Sequence, residues 1–333
     1  MISLEVNEGS QVAEARRVTV GIAEKHGFDT ADAGRVALVT TELATNLIKH
    51  VGRGEILAGP YAEGIETGIE VLALDQGRGM ANVQNCLADG YSSAGTAGKG
   101  LGAVVRQSSF VDIASWPGVG TAVLARIGAV RDSTSKVDRR WSFGAVSIAK
   151  SGEEACGDSW AIEESGTTVT LLVADGLGHG PDAAEAAVEA VRLFRRFRGH
   201  QIPTLLDYVH GGLRSTRGAA VSVARYDPAA RTVIFAGIGN VAGVLASEDG
   251  LRRMVSMPGT AGYNVRKIQS FQYPFGGGLV ILCSDGLSTS WTLARYPNLD
   301  KAHPTLIASV LYRDFARRRD DTTVLVGKWA PGA

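Results

Sequence analysis

Two sets of glycine-flanked polar residues follow one another along this chain. The first set is Glu42 and Asn46, then Asp75-Gln76-Gly77-Arg78-Gly79, then Gly98-Lys99-Gly100-Leu101-Gly102. The second is Gly157-Asp158, Asp175-Gly176-Leu177-Gly178-His179-Gly180, Ser284-Asp285-Gly286, and Asp320-Asp321 followed by Thr323. The first order suits a grip on ATP and a magnesium ion. The second suits a site that holds two metal ions against a phosphate.

In the first set, Glu42 and Asn46 stand four apart on a predicted helix and share one face. Asn46 offers a carbonyl oxygen to magnesium, a hard-ligand ion, and Glu42 can accept a proton from an attacking hydroxyl. By themselves such a pair is more often an exposed polar helix face. Asp75 ends a strand pattern, and its carboxylate can take a hydrogen bond from an adenine amino group. Gly77 and Gly79 let the base approach the backbone, although Asp-x-Gly-x-Gly alone also describes a simple turn. Gly98, Gly100 and Gly102 open a helix near Leu101, where free backbone amides cradle phosphate and Lys99 adds a charge.

In the second set, each acid lies at a strand end or beside a glycine. Carboxylates at strand ends can converge on one sheet edge, and oxygen ligands suit magnesium and manganese. Paired ions clamp a phosphate and lower the pKa of a shared water. A single Asp-Gly is more often a turn, so the combination carries the reading. His179 either protonates a leaving group or shapes the start of the helix at Pro181. Gly239-Asn240 reads as a hairpin turn in which Asn tolerates a left-handed backbone.

These residues need elements to hold them. Ser10 is a candidate cap for a first helix stopped by Gly27. A second helix from Asp29 or Thr30 to His50 carries Val36, Val39, Leu43 and Leu47 at helical spacing. Strands are predicted over 55–58, 68–74, 110–115 and 121–127, giving helices on one face of a mostly antiparallel sheet. Residues 129–140 are polar and read as a linker. The second half alternates strand patterns with helices near 181–198, 203–215 and 304–317, as expected of two packed sheets flanked by helices. The expectation is thus an α+β chain with domains over 1–128 and 141–330.

Composition narrows the function classes. The chain has 333 residues, 34 acids, 34 bases and 20% charged residues, so no net field favours nucleic acid or an anionic membrane. The basic stretches 192–198 and 313–319 read as solvated helix faces. The N-terminus has neither the basic nor the apolar part of a signal peptide. The three cysteines, Cys86, Cys156 and Cys283, form no metal-spacing motif, and a reducing cytoplasm is the expected location. Cys283, in an apolar run, reads as an inert buried thiol.

Taken together, the first three motifs resemble those of the GHKL (Bergerat-fold) ATPases, over about residues 1–128. The strings Thr40-Thr41-Glu42-Leu43-Ala44-Thr45-Asn46 and Gly98 through Arg106 are most similar to the small anti-sigma serine kinases of the RsbT and SpoIIAB type. That resemblance implies Glu42 as the base, Asn46 on magnesium, and Asp75 reading adenine. Residues 82–97 would form a short lid over the phosphates. The second half, about 140–328, resembles the PPM-type, SpoIIE-like phosphatases, with an RsbX-like flavour and an αββα sandwich. It implies metal ligation by Asp158, by a bridging, catalytic Asp175, by the Gly176 carbonyl, and by Asp285 and Asp320, the last chosen over Asp321. The cofactors implied are ATP with Mg2+ in one domain and two Mn2+ or Mg2+ in the other.

The function implied is a bifunctional protein-serine/threonine kinase and phosphatase in a bacterial partner-switching pathway. Its phospho-substrate would be a STAS-domain anti-sigma antagonist or stressosome protein, with a sigma factor or downstream phosphatase as a further partner, and with neither nucleic acid nor membrane. Two rivals stand beside it: a phosphatase whose first domain only senses ATP, and an ATP-dependent anti-sigma binding protein.

Overall fold

A computed structural model describes residues 1–64, 66–83, 100–128 and 140–330. Gly98, Lys99, Cys86 and most of the expected lid and linker lie outside the described residues. The chain forms two compact units, Met1–Asp138 with Tyr296–Arg313, and Arg139–Arg295 with Asp314–Ala333. The helix near 304 was expected to belong wholly to the second half. Its residues through Arg313 belong instead to the first unit.

The first unit begins with β1 (Ile2–Val6), α1 (Gly9–Lys25), α2 (Thr30–His50), β2 (Gly54–Glu63) and β3 (Glu66–Leu74). It continues with α3 (Gly100–Gln107), β4 (Phe110–Trp116) and β5 (Gly120–Gly128). The sheet order is β1-β2-β3-β5-β4, with every pair antiparallel. Strand β1 has no counterpart in the sequence reading; it is short and pairs along the edge of β2. The cap of α1 is Glu8, not Ser10. Glu8 and Gln11 form a reciprocal capping box, which satisfies two helix-end amides at once. Helix α2 starts as expected, with the Asp29 side chain accepting from the Asp32 amide at 2.8 Å.

Alternation along the strands splits the sheet into two buried faces. Ile69, Val71 and Ala73 of β3, with Val123, Ala125 and Ile127 of β5, pack against Val36, Val39, Leu43 and Leu47 of α2. The intervening residues Leu72, Leu74 and Leu124 are also buried, as are Glu70 and Arg126. Their face meets the segment 296–313, which includes most of α6 (Pro304–Phe315). Arg126 there donates to Glu70 at 3.1 Å, Glu63 at 2.6 Å and Thr305 Oγ1 at 3.1 Å, and lies 4.4 Å over the Tyr61 ring. Tyr312 donates to Glu55 at 2.8 Å, and the His303 amide to Asp112 at 2.7 Å. Helices therefore lie on both faces of this sheet, a difference from the expectation. Buried charges are satisfied only by partners of this kind, so Glu70 and Arg126, with the half-buried Glu63, mark the docking of a segment whose Thr305 lies 179 residues from Arg126.

The second unit holds two five-stranded sheets. One has order β15-β10-β9-β8-β7, from β7 (Asp158–Ser165), β8 (Thr168–Gly176), β9 (Ala219–Asp227), β10 (Thr232–Ile238) and β15 (Phe271–Pro274). The other has order β12-β11-β16-β17-β6, from β6 (Trp141–Ile148), β11 (Ala242–Ser247), β12 (Gly250–Met254), β16 (Gly278–Cys283) and β17 (Thr322–Trp329). A two-stranded ribbon, β13 (Gly259–Thr260) with β14 (Asn264–Val265), completes the strands. Trp141, Leu171, Val173, Tyr226, Phe235, Leu282, Leu325 and Trp329 form the core shared by the two sheets. Helices α4 (Pro181–Phe197) and α5 (Ile202–Gly212) pack on the first sheet through Ala187, Ala190, Phe194, Leu205, Leu206 and Val209. Each fully buried aliphatic side chain of these cores contributes roughly 1.5–3 kcal/mol.

Candidate functional sites

In the first unit, helix periodicity turns Leu43 and Leu47 into the core and leaves Glu42 and Asn46 half-buried on the adjoining stripe. Helix α3 begins directly over them. A Cβ built on Gly100 would lie 3.1 Å from Glu42 Oε2 and 3.4 Å from Asn46 Oδ1. Glycine at this position thus lets the α3 N-terminus approach both polar side chains. Gly102 is buried and Leu101 half-buried in the first turn.

Asp75 follows β3 where that strand separates from β5. Its backbone still exchanges hydrogen bonds with Thr121 at 2.9 and 3.2 Å. Its Oδ1 accepts from the Gly77 amide at 2.8 Å and the Thr121 amide at 3.2 Å. One oxygen is therefore fixed by the protein, and among the described residues no hydrogen bond engages Oδ2. Burial raises the Asp75 pKa, opposed by those two amides and by the charges of Arg313 and His50. Arg313 donates to the Asp75 carbonyl at 2.9 Å and is 7% exposed. The sequence reading had placed it on a solvated basic face. Gly79 has φ +66, and a Cβ there would collide with the Trp116 carbonyl. The turn therefore requires glycine for both space and backbone angle.

The acids of the second unit meet at one sheet end. Asp158 opens β7, Asp175 is the penultimate residue of β8, and the two are direct cross-strand partners. Asp285 follows β16 and Asp320 precedes β17, neighbouring strands of the other sheet. Burial raises the Asp175 pKa, and the charges of Asp158, Asp285 and Asp320 raise it further. Burial likewise raises Asp158, against hydrogen bonds from Ser284 and Thr323 and together with the charges of Asp321 and Asp285. The charges of Asp158, Asp285 and Asp320 act on Asp175, and that of Asp321 acts on Asp158. Asp321 is buried, accepts from the Lys150 amide at 2.9 Å, and lies against Gly157.

Two residues that the sequence reading left without a site role join this cluster. Ser284 is 1% exposed; its hydroxyl donates to Asp158 Oδ2 at 2.6 Å and accepts from the Thr323 amide at 2.9 Å. It ties the two sheets together at the acids. Asn240 donates to Asp285 Oδ2 at 2.5 Å. The left-handed backbone expected there falls on Gly239, with φ +89, and the Asn240 side chain is used on Asp285 instead. A polar residue directly before Asp-Gly was a weak sign of the first. Nothing local could have marked the second, whose partner lies 45 residues away. His179 contacts Glu153 at 2.6 Å beside Gly180, the residue that caps α4.

Whether these acids suit metal ions is decided by their oxygens. Among the described residues, no three His, Cys, Asp or Glu side chains already converge at liganding distance. Yet Asp158 Oδ1 is buried without any hydrogen-bond partner. A buried carboxylate oxygen left this way is costly unless a cation or donor meets it. The donor set is entirely hard oxygen, which fits magnesium or manganese. Cys283, by contrast, is buried with its thiol pushed up to about 12 by desolvation, and stays out of the chemistry.

Residues 6–127 match the histidine kinase-like ATPase domain family, and residues 165–330 match the stage II sporulation protein E (SpoIIE) family. The serine/threonine-protein kinase RsbT of Bacillus subtilis (strain 168) is 32% identical over 114 residues, covering 34% of this chain and 86% of RsbT. The phosphoserine phosphatase RsbX of the same organism is 24% identical over 185 residues, covering 54% of this chain and 91% of RsbX. Among solved structures, a chain from work on the bacterial stressosome as a modular system for secondary messenger signalling superposes with a TM-score of 0.54 at 28% identity. It covers 57% of this chain and 100% of that one. RsbX in complex with magnesium superposes with a TM-score of 0.51 at 21% identity, covering 59% and 98%, and shares the fold. The two matched regions carry the two sites in the same order, and the chain belongs to the RsbT family of histidine kinase-like ATPase domains, joined here to a SpoIIE-family PPM phosphatase domain.

Proposed function

We propose that this chain is a bifunctional switch enzyme that both phosphorylates and dephosphorylates a serine or threonine of a partner protein. The observation that carries this reading is that each unit gathers its own polar groups: Glu42 and Asn46 beneath Gly100 in one, and Asp175 under the charges of three other aspartates in the other.

In the first unit Asp75, with Oδ1 already held by Gly77 and Thr121, keeps Oδ2 for the adenine amino group. Gly77 and Gly79 make room for the base. Asn46 would hold magnesium with the nucleotide phosphates. Gly98, Lys99, Gly100, Leu101 and Gly102 would supply amides and a charge to those phosphates. Glu42, one turn before Asn46, would take the proton from the attacking hydroxyl.

In the second unit Asp158, Asp175, Asp285, Asp320 and the Gly176 carbonyl would hold two magnesium or manganese ions. When bound, such ions polarise a phosphoryl oxygen and activate a water. Asp175, which feels the charges of the other three acids, would be the ligand shared by both ions. Ser284 keeps Asp158 aimed, and Asn240 does the same for Asp285. The names of RsbT, RsbX and the stressosome structure support a STAS-domain partner in a partner-switching pathway. No helix among the described residues is long and apolar enough to cross a membrane, and a cytoplasmic site of action is part of the proposal.

The test uses γ-labelled ATP, the intact chain and candidate STAS proteins, with mass spectrometry to find the modified residue. Transfer by the unaltered chain, lost in Glu42→Gln and accumulating in Asp175→Asn, is the expected result. Intact ATP binding without transfer would overturn the kinase half and leave an ATP-sensing phosphatase. Tight ATP-dependent capture of a sigma factor without turnover would leave an anti-sigma binding protein.

A further inference from the structure

The acids around Asp175 raise a question of charge that the metal ligands alone do not answer. A phosphoprotein brings a dianion toward a sheet end already carrying Asp158, Asp175, Asp285 and Asp320, with Asp321 behind them. Two arginines lie near this end. Arg317 acts on Asp285 through its charge, and its amide bonds the Gly286 carbonyl at 2.8 Å. Arg217 lies against the loop that follows Asp175.

The position of Arg217 is set by pairing of strands. Ala219 is the cross-strand partner of Gly176, and Ala220 of Asp175. Two residues earlier, the chain is held again: the Leu177 amide donates to the Gly218 carbonyl at 3.0 Å, and the Gly218 amide to Thr216 Oγ1 at 3.0 Å. Arg217 thus leaves the same sheet end at which the acids gather. Its Nη1 lies 3.4 Å from where a Cβ of Gly178 would stand. Gly178 has φ +94, which favours glycine, and with no side chain there the guanidinium lies against bare backbone. Gly178 is only two residues, at most about 7 Å of chain, beyond the Gly176 carbonyl.

The present partner of Arg217 is Asp182, in the first turn of α4. Both side chains are open to solvent, at 52% and 63%. An ion pair so exposed contributes little to folding. It does hold a planar, permanently charged fork beside the site, where a phosphate can replace the carboxylate with two parallel hydrogen bonds. Its exposure also suits a phosphate that arrives on a protein surface.

We propose that Arg217 is the substrate-phosphate contact of the phosphatase unit, exchanging Asp182 for the phosphoryl oxygens of a phosphoserine or phosphothreonine side chain. The proposal rests on the phosphatase reading above. It assigns Arg217 to phosphate binding, and Arg317 to the neighbourhood of Asp285.

The experiment measures phosphate release by the intact, manganese-supplied chain from an alanine-flanked phosphoserine hexapeptide and from p-nitrophenyl phosphate. It also measures binding of inorganic phosphate by calorimetry. Arg217→Ala is expected to raise KM for the peptide, and the dissociation constant of inorganic phosphate, roughly 10-fold to 100-fold. Its kcat and manganese affinity stay within about threefold of the unaltered chain. Arg217→Lys recovers part of the loss, and Asp182→Ala leaves phosphate affinity equal or tighter because it releases the guanidinium. Unchanged phosphate affinity in Arg217→Ala overturns the proposal. So do equal losses in Arg217→Ala and Asp182→Ala, the pattern of a pair that only secures α4, and so does a KM effect found with Arg317→Ala and not with Arg217→Ala. An unaltered chain that binds phosphate but releases none from either substrate defeats the phosphatase reading, while the calorimetry still decides Arg217.

Discussion

The two sites use aspartate in opposite ways. Asp75 is completed by its own unit: Gly77 and Thr121 amides hold one oxygen, and Arg313 holds its carbonyl. Asp158 is left incomplete, with one oxygen on Ser284 and the other buried without a partner. The first arrangement leaves one oxygen for the adenine amino group of the proposed nucleotide site and needs no ion at the aspartate. The second crowds like charges that raise one another's pKa, an arrangement that cations would relieve. A glycine-flanked aspartate therefore says little alone. What distinguishes the two is whether the neighbours of the carboxylate are amides or other carboxylates.

The sharpest way to break this comparison is at Asp175. Asp175→Asn should lower phosphate release roughly a thousandfold, the scale of losing an essential member of a catalytic group, while ATP affinity stays unchanged. EDTA should do the same to the unaltered chain. It should also lower the thermal stability of the second unit, since an ion at about 100 times its dissociation constant stabilises a fold by about 2.7 kcal/mol. Phosphate release that survives either treatment would refute the two-metal reading.

The reciprocal change is Asp75→Asn. It replaces an acceptor by a donor where the adenine amino group would bind, and should weaken ATP binding roughly 10-fold to 100-fold. Phosphate release from a small phosphoester should remain within about twofold. Gly79→Ala should weaken ATP binding in the same direction by forcing the turn against Trp116. Equal damage to both activities by Asp75→Asn would mean that the units do not fold independently.

Much of this contrast was legible in the sequence because both sites are built from local signals. Helical spacing puts Glu42 and Asn46 on one face, and an apolar strand followed by glycine puts Asp175 and Asp285 at strand ends, while the roles proposed for them rest on the combination of motifs. What was not legible depended on long-range partners. Asn240 looked like a turn residue until Asp285 was brought to it. Arg313 read as surface because its helix is basic, yet it reaches the Asp75 carbonyl across 238 residues of sequence. Glu70 and Arg126 alternate correctly for a sheet with one wet face. Nothing nearby announces that α6 covers them. Strand β1 was missed because five residues with mixed polarity carry too short a pattern.

Ser284 sharpens the comparison, because a side-chain hydroxyl holds Asp158 Oδ2 where backbone amides hold Asp75 Oδ1. Ser284→Ala should weaken manganese binding roughly 10-fold to 100-fold, as loss of a supporting partner does at metal sites. Excess manganese should restore most of the phosphate release. Unchanged metal affinity would show that the serine only joins β16 to β17.

The smallest expected effect concerns Glu63 and Glu70 of the first unit, which are paired with Arg126. Burial pushes the Glu63 pKa up, but hydrogen bonds and charges from His303 and Arg126 outweigh it and bring it from 4.5 to about 2. A carboxylate lowered on folding stabilises the protein above its unfolded value and loses that contribution as pH falls from about 4.5 toward 2. The full shift would correspond to about 3 kcal/mol, which partial exposure of the side chain reduces to about 1–2 kcal/mol. Glu70 acts in the opposite sense: burial outweighs Arg126 and raises it to about 7, so its contribution falls as pH rises from about 4.5 to 7. For this reason the informative quantity is the difference between the unaltered chain and Glu63→Gln in the unfolding transition of the first unit. That difference should be largest above pH 4.5 and shrink on acidification, whereas a difference independent of pH would assign Glu63 to packing alone.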